Sequence, residues 1–172
     1  SHQPSQMHVK RQIQSLIDSG KIQVTRPDIE RLDNSDPLVV EMGKEWTAVY
    51  ELAISNSGYV IDYVPLCKVG LTDELAVVAE TVLERVVNIR CIVEALSTYS
   101  RLTKAEVAGA LDRLGTEGRV APTPVVPHRK ATLYFVNSTL ETLVATGIFS
   151  DVVATFQAAV TEEYARRLHE EL

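Results

Sequence analysis

The side chains that would perform nucleophilic, acid–base or metal chemistry are few and scattered along the chain. The four histidines stand at positions 2, 8, 128 and 169, and the two cysteines at positions 67 and 91. A metal site needs several such ligands at short spacing, and neither H-E-x-x-H nor C-x-x-C occurs in the sequence. The spacing therefore predicts no metal site, and it predicts two reduced, buried thiols rather than a disulfide framework.

Motifs for covalent catalysis and for phosphate binding are also missing from the sequence. The eight glycines form neither a G-x-G-x-x-G nor a Walker pattern, and no G-x-S-x-G elbow occurs. The paired acids Asp33 with Asp36 and Glu162 with Glu163 are expected in a turn-forming loop and on an exposed helical face. We therefore predict no catalytic residue and no cofactor. An enzyme of unrecognised type stays an alternative, for which aromatic residues such as Trp46 would line a ligand site or pack against a helix.

One segment has a charge opposite to that of the whole protein. Eight basic and four acidic residues lie between positions 85 and 130, although the formal net charge of the chain is -6. Such a local excess of Lys and Arg suits a polyanion such as DNA, or it forms a solvated basic face. The candidate contact residues for DNA or a partner protein are Arg101, Lys104, Arg113, Arg119, His128, Arg129 and Lys130.

The elements that would position these residues begin with one helix and several extended segments. Apolar residues at helical spacing and the cap Gly20 predict a helix over about residues 5–19. The strands are expected at 21–25, 38–42, 46–54 and 59–66, with a hairpin turn at 55–58. This pattern predicts an α+β fold with a small antiparallel sheet.

The second half of the chain is expected to be mostly helical. A wide apolar stripe predicts a long helix over 72–97 that contacts the rest of the chain on two sides or a partner chain. Capping boxes at Thr103 with Glu106 and at Ser138 with Glu141 predict two further helix starts. A short strand is expected at 131–136, and a last helix is expected to run from Ser150 past Tyr164.

The order of elements between about residues 80 and 136 resembles the winged-helix superfamily. The resemblance is carried by a helix ending in IVEALS, the capped helix in LTKAEVAGALDRLGTEGRV, and two extended segments around Pro-His-Arg-Lys. It implies that the 103–115 helix is a recognition helix and that the following hairpin is a wing holding His128, Arg129 and Lys130. The segment VKRQIQSLIDSGKIQV also looks like a helix and strand of this type, which leaves a tandem winged-helix-like arrangement open.

We divide the chain into an N-terminal helix-plus-sheet unit over 1–70 and a winged-helix-like unit with C-terminal helices over 71–172. The chain has 172 residues, of which 45% are hydrophobic and 23% charged, as in a globular protein. No window is apolar enough for a membrane span, and no signal peptide is recognised, so the expected location is cytoplasmic or nuclear.

The prediction for function is a non-catalytic interaction module that acts as a protein–protein adaptor in a larger assembly, with a protein partner or self-association. The first alternative is a DNA-binding transcriptional regulator that binds duplex DNA with the 103–115 helix and the basic wing. Neither a membrane nor a small-molecule cofactor is expected as a partner.

Overall fold

A computed structural model describes residues 5–63, 82, 84–115 and 125–172. Within these residues, the chain forms eight helices and five strands. The helices are α1 (Gln6–Asp18), α2 (Pro37–Met42), α3 (Lys44–Ser55), α4 (Ile89–Thr98), α5 (Lys104–Leu114), α6 (Thr139–Ala145), α7 (Phe149–Thr155) and α8 (Glu162–Glu171). The strands are β1 (Ile22–Thr25), β2 (Tyr59–Asp62), β3 (Val86–Asn88), β4 (Thr132–Phe135) and β5 (Gln157–Thr161).

The five strands form one sheet in the order β1-β5-β4-β2-β3, and every neighbouring pair is parallel. The prediction of a small antiparallel sheet is therefore wrong. Parallel strands need helical crossovers, which cover both faces of the sheet. Strand β2 shows the consequence, since all four of its residues are buried.

The helices pack on the two faces of this sheet as separate layers. The larger core joins α1, α4, α5, α6 and α7 to one face, where Ile61 and Leu133 point. The smaller core packs α3, through Trp46 and Val49, against Val60 on the other face. The sheet is thus the middle of three layers, and its central strands β2 and β4 are buried on both sides.

Two segments expected as strands are helices. Asp36 caps α2, because its side chain accepts a hydrogen bond from the Leu38 amide at 2.9 Å, and Pro37 occupies the first turn. In α3 the buried residues include Trp46, Val49, Tyr50 and Ala53, which recur at the helical spacing of three and four. The expectation of a strand over 46–54 followed an alternating pattern that is weaker than this one.

Two segments expected as continuous helices contain strands. Residues 86–88, inside the long helix expected over 72–97, form β3, whereas 72–81 and 83 lie outside the described residues. The helix expected from Ser150 onward is interrupted by β5, of which four of five residues are buried. A short apolar run fits a buried strand as well as a helix, so periodicity alone did not separate the two.

The helix start at Thr103 is confirmed with its capping box. The Thr103 hydroxyl accepts from the Glu106 amide at 3.2 Å, and the Glu106 carboxylate accepts from the Thr103 amide at 3.0 Å. The second predicted capping box is wrong, because the Ser138 side chain forms no cap hydrogen bond in α6. Ser138 instead shares a hydrogen bond of 2.7 Å with the Tyr63 hydroxyl.

The winged-helix-like arrangement, single or tandem, is wrong as a description of the fold. The strand expected to return from the wing is β4, which lies inside the sheet between β5 and β2. The presumed recognition helix α5 begins where it was expected and buries Ala110 and Leu114 in the larger core. Residues 116–124, which would hold the first part of the wing, are outside the described residues.

Candidate functional site

The carboxyl ends of the strands place polar side chains along one edge of the sheet. Strands β1, β2, β3 and β5 end at Thr25, Asp62, Asn88 and Thr161, and Asn137 follows the end of β4 by two residues. Because all strands are parallel, these ends meet at the same edge. We call this edge the carboxyl edge, and the opposite one, where the strands begin, the amino edge.

The carboxyl edge contains a topological switch point between β2 and β4. The next strand after β2 is β3, which lies on one side, and the next strand after β4 is β5, which lies on the other. Strands β3 and β5 therefore lie on opposite sides of the β2–β4 pair, which makes this pair the switch point of the sheet. In open α/β sheets, ligands bind in the crevice at this position.

Asp62 and Asn137 flank the switch point and are joined to each other. Asn137 Nδ2 donates to Asp62 Oδ1 at 3.2 Å, and the Tyr63 amide donates to the same oxygen at 2.7 Å. Trp46 Nε1 donates to the other carboxylate oxygen at 2.9 Å. Asp62 is 6% exposed, and these three donors satisfy its carboxylate. The Asp62 carboxylate orients Trp46 and Asn137, which both line a cleft at this edge of the sheet.

A cleft of about 700 Å³ lies at this edge of the sheet. Its floor is formed by residues 135–138 and Thr161, at the ends of β4 and β5. Residues 41–46, where α2 meets α3, form one wall. Lys10 of α1 and Glu141 of α6 also line it.

Helix α8 lies along this cleft. Four of its residues line the cleft at positions i, i+3, i+4 and i+7, namely Tyr164, Arg167, Leu168 and Glu171. A second cavity, of about 550 Å³, is lined by Arg166 of α8 and by residues 26–30 of the loop after β1. Glu45 and Thr161 line both cavities, so α8 passes between two parts of one polar edge.

Charged side chains of both signs line the cleft. Lys10 Nζ and Glu171 Oε2 are 2.6 Å apart, and this hydrogen bond raises the pKa of Lys10. Burial raises the pKa of Glu141, and the positive charges of Lys10 and Arg167 partly oppose that rise. A carboxyl group with a raised pKa in a cleft is a candidate for binding or proton transfer.

Tyr164 has a polar atom without a partner. Among the described residues, its hydroxyl oxygen is one of two buried side-chain oxygen or nitrogen atoms that make no hydrogen bond. Burial raises the pKa of this phenol, so it is a neutral donor at physiological pH. An unsatisfied buried hydroxyl costs about 1–3 kcal/mol, which a bound hydrogen-bond acceptor would recover.

The contact residues predicted from sequence lie away from this cleft. Arg101 and Lys104 are exposed at the end of α4 and the start of α5, and Arg113 donates from Nη1 to the Thr146 carbonyl at 2.7 Å. Arg119 is outside the described residues. The structure brings His128, Arg129 and Lys130 together just before β4, at the amino edge.

Sequence reasoning named Trp46 as a possible ligand-site residue, and it missed the polar residues at this edge of the sheet. Asp62, Glu141 and Tyr164 belong to different elements, and no local motif joins them. One signal was present, because Asp62 directly follows a run of buried apolar residues, as polar residues do at the ends of parallel strands. The cysteine prediction is confirmed for Cys91, which is free and buried, whereas Cys67 lies outside the described residues.

Within the described ranges, no three His, Cys, Asp or Glu side chains form a group that could hold a metal ion. The same ranges contain no helix with the length and hydropathy of a membrane span. Comparisons of the chain with protein-family models, with curated proteins and with solved structures found no match.

Proposed function

We propose that this protein binds a small polar molecule in the cleft at the carboxyl edge of its sheet. The observation that carries the proposal is the coincidence of the cleft with the end of β4, beside the switch point held by Asp62 and Asn137. Its volume of about 700 Å³ falls in the ordinary range of small-molecule sites.

The lining of the cleft defines the chemistry of the ligand. Tyr164 supplies a buried hydroxyl that needs an acceptor, and Glu141 supplies a carboxylate that accepts hydrogen bonds. Hydroxyl groups on a ligand match both residues, because a hydroxyl accepts as well as donates. Polyhydroxylated molecules such as sugars, polyols and nucleosides fit this requirement.

The adaptor and duplex-DNA functions remain predictions with less support than the cleft. The duplex-DNA function was derived from a recognition helix followed by a wing, and β4 lies in the middle of the sheet instead. The adaptor function was derived from the absence of catalytic motifs, the acidic net charge and the apolar stripe expected over 72–97, of which 72–81 and 83 lie outside the described residues. A small-molecule site in the cleft does not exclude a protein partner elsewhere on the surface. The cleft is therefore the first function to test.

The test uses the one tryptophan of the chain, Trp46, which lines the cleft. Tryptophan emission and amide chemical shifts are recorded while a panel of monosaccharides, polyols and nucleosides is titrated. We expect at least one compound to shift the emission and the amide signals of Asn137 and Glu141 in a saturable way.

Two matched variants separate the site from a general effect. Tyr164→Phe removes the hydroxyl and is expected to weaken the compound by roughly two- to tenfold, the value of one hydrogen bond. Tyr99→Phe removes the same group at the amino edge and is expected to leave affinity unchanged. The proposal fails if no compound in the panel perturbs the cleft residues, or if the two variants weaken binding equally.

A further inference from the structure

A second polar surface lies at the amino edge, on the far side of the sheet from the cleft. It is formed by four segments: 57–59, 84–85, 99–101 and 125–131. These segments hold four cations, Arg85, Arg101, Arg129 and Lys130, and one carboxylate, Glu84. The surface is therefore positive on a chain whose formal net charge is -6.

The side chains of this surface form a continuous row of contacts. The Arg85 guanidinium lies 5.4 Å from the centre of the Tyr59 ring, and the His128 ring lies 5.6 Å from the same ring at an angle of 64°. The next residue, Arg129, places its guanidinium 4.8 Å from the centre of the Tyr99 ring. Two guanidinium–tyrosine pairs thus lie in one row, with the His128 ring between them.

Hydrogen bonds between side chains and backbone carbonyls hold the row in place. His128 Nε2 and the Ser57 carbonyl oxygen are 3.2 Å apart, and Arg129 Nη2 donates to the Tyr99 carbonyl at 3.2 Å. The Tyr99 hydroxyl donates to the Pro127 carbonyl at 2.8 Å, which ties the loop before β4 to the end of α4. The cations are thereby positioned in advance of binding.

The charged groups and the His128 ring are available to a partner from solvent, whereas Tyr59 is buried. Arg101, His128, Arg129 and Lys130 are exposed. In the part of the chain that the structure describes, none of the four cations Arg85, Arg101, Arg129 and Lys130 makes a salt bridge to a carboxylate. Their positive charge is thus free to attract a polyanion.

From this row, we propose that the amino edge binds single-stranded nucleic acid. Arg and Lys neutralise phosphates, and bases stack on aromatic rings and on guanidinium planes. The exposed His128 ring and the exposed Arg129 guanidinium are the groups on which bases can stack here. An acidic peptide would use the charges and leave the stacking groups without a role. Duplex DNA keeps its bases stacked on each other, so it would also use the charges alone.

The proposal is tested by fluorescence anisotropy with a labelled oligothymidylate, its duplex with oligoadenylate, and labelled polyglutamate, at about 50 mM and about 200 mM salt. We expect the oligothymidylate to bind most tightly and to be weakened by salt. The double variant R129A/K130A removes two phosphate contacts. The plot of the logarithm of the binding constant against the logarithm of salt concentration is therefore expected to become less steep by about 1.4. The fourfold rise in salt would then weaken the variant about sevenfold less than the unaltered protein.

The matched control is R26A/R31A, which removes two exposed cations beyond the carboxyl end of β1. It is expected to change oligothymidylate binding by less than R129A/K130A does. The proposal is overturned by an absence of oligothymidylate binding at both salts, by equal losses in the two double variants, or by tighter binding of the duplex or of polyglutamate. Circular dichroism of each variant confirms that a loss of binding is not a loss of fold.

Discussion

Gly58, which directly precedes β2, lies so close to β4 that no residue with a β-carbon fits at this position without a shift. A β-carbon at position 58 would lie 2.6 Å from the Thr132 carbonyl oxygen and 2.9 Å from Tyr134 Cε2. The Tyr134 ring is 4% exposed, and its hydroxyl accepts a hydrogen bond from Asn56 Nδ2 at 2.8 Å. Neither neighbour is therefore free to move aside.

We expect Gly58→Ala to lower the free energy of unfolding by about 1–2 kcal/mol. Overpacking of this kind costs about 1–3 kcal/mol, and the smaller entropy of the unfolded alanine chain returns about 0.4–1 kcal/mol. Gly58 is not among the described glycines with a positive φ, so the loss would come from the contact with β4 and not from backbone strain. At this chain length the loss corresponds to a fall in Tm of roughly 2–4 °C per kcal/mol.

Gly109→Ala is the matched control, since it makes the same chemical change inside helix α5. A β-carbon there would meet Arg113 Nη2 at an ordinary 3.7 Å. Alanine is favoured over glycine within a helix by about 1 kcal/mol, so this variant is expected to gain about 0.5–1 kcal/mol.

Guanidinium denaturation followed by far-UV circular dichroism and by Trp46 emission measures both variants. The two single substitutions should move the unfolding midpoint in opposite directions. A Gly58→Ala protein as stable as the parent, beside a Gly109→Ala protein that gains stability, would refute the close approach of β2 and β4 and the sheet order built on it.

Three other perturbations test particular interactions. Trp46→Phe removes a donor to the buried Asp62 carboxylate and should cost about 1.5–3 kcal/mol of unfolding free energy, measured by far-UV circular dichroism; a change below about 0.5 kcal/mol would contradict the role given to that bond. Thr103→Ala should cost about 0.5–2 kcal/mol because it removes half of the capping box, and an unchanged denaturation midpoint would argue against the cap. Burial raises the pKa of Glu141 in the folded state, so the folded protein holds this proton more tightly than the unfolded chain and stability falls as pH rises through the raised pKa. Glu141→Gln should therefore gain stability relative to the parent as pH rises above about 4.3, the ordinary pKa of Glu, and a difference that stays constant with pH would count against the burial of this carboxyl group.

Local chemistry was enough to predict the elements whose signals lie within one or two turns of chain. Helix α1 was recognised from its apolar spacing and from Gly20, and α5 from the pairing of Thr103 with Glu106. Each signal is a hydrogen bond or a contact between residues at most four positions apart. Such interactions form in the same way whatever the rest of the chain does.

The segments that were misassigned are those whose structure depends on distant neighbours. The sequence of β5 is a short apolar run that fits a helix equally well. It is a strand because β1 and β4 pair with it on either side. The same holds for β3, which pairs with β2. Their hydrogen-bond partners are far away in sequence, so no short pattern records them.

The candidate sites divide in the same way. The sequence by itself determined the charge of the segment before β4, and therefore that His128, Arg129 and Lys130 form a basic surface. Only the tertiary structure decided that this surface meets Tyr59 and Tyr99, and that Asp62, Asn137, Glu141 and Tyr164 share the opposite edge. The physical reason is that a parallel sheet brings together the ends of strands that are far apart in the chain, and the order of those strands is set by long-range packing of buried faces, which no spacing of neighbouring residues encodes.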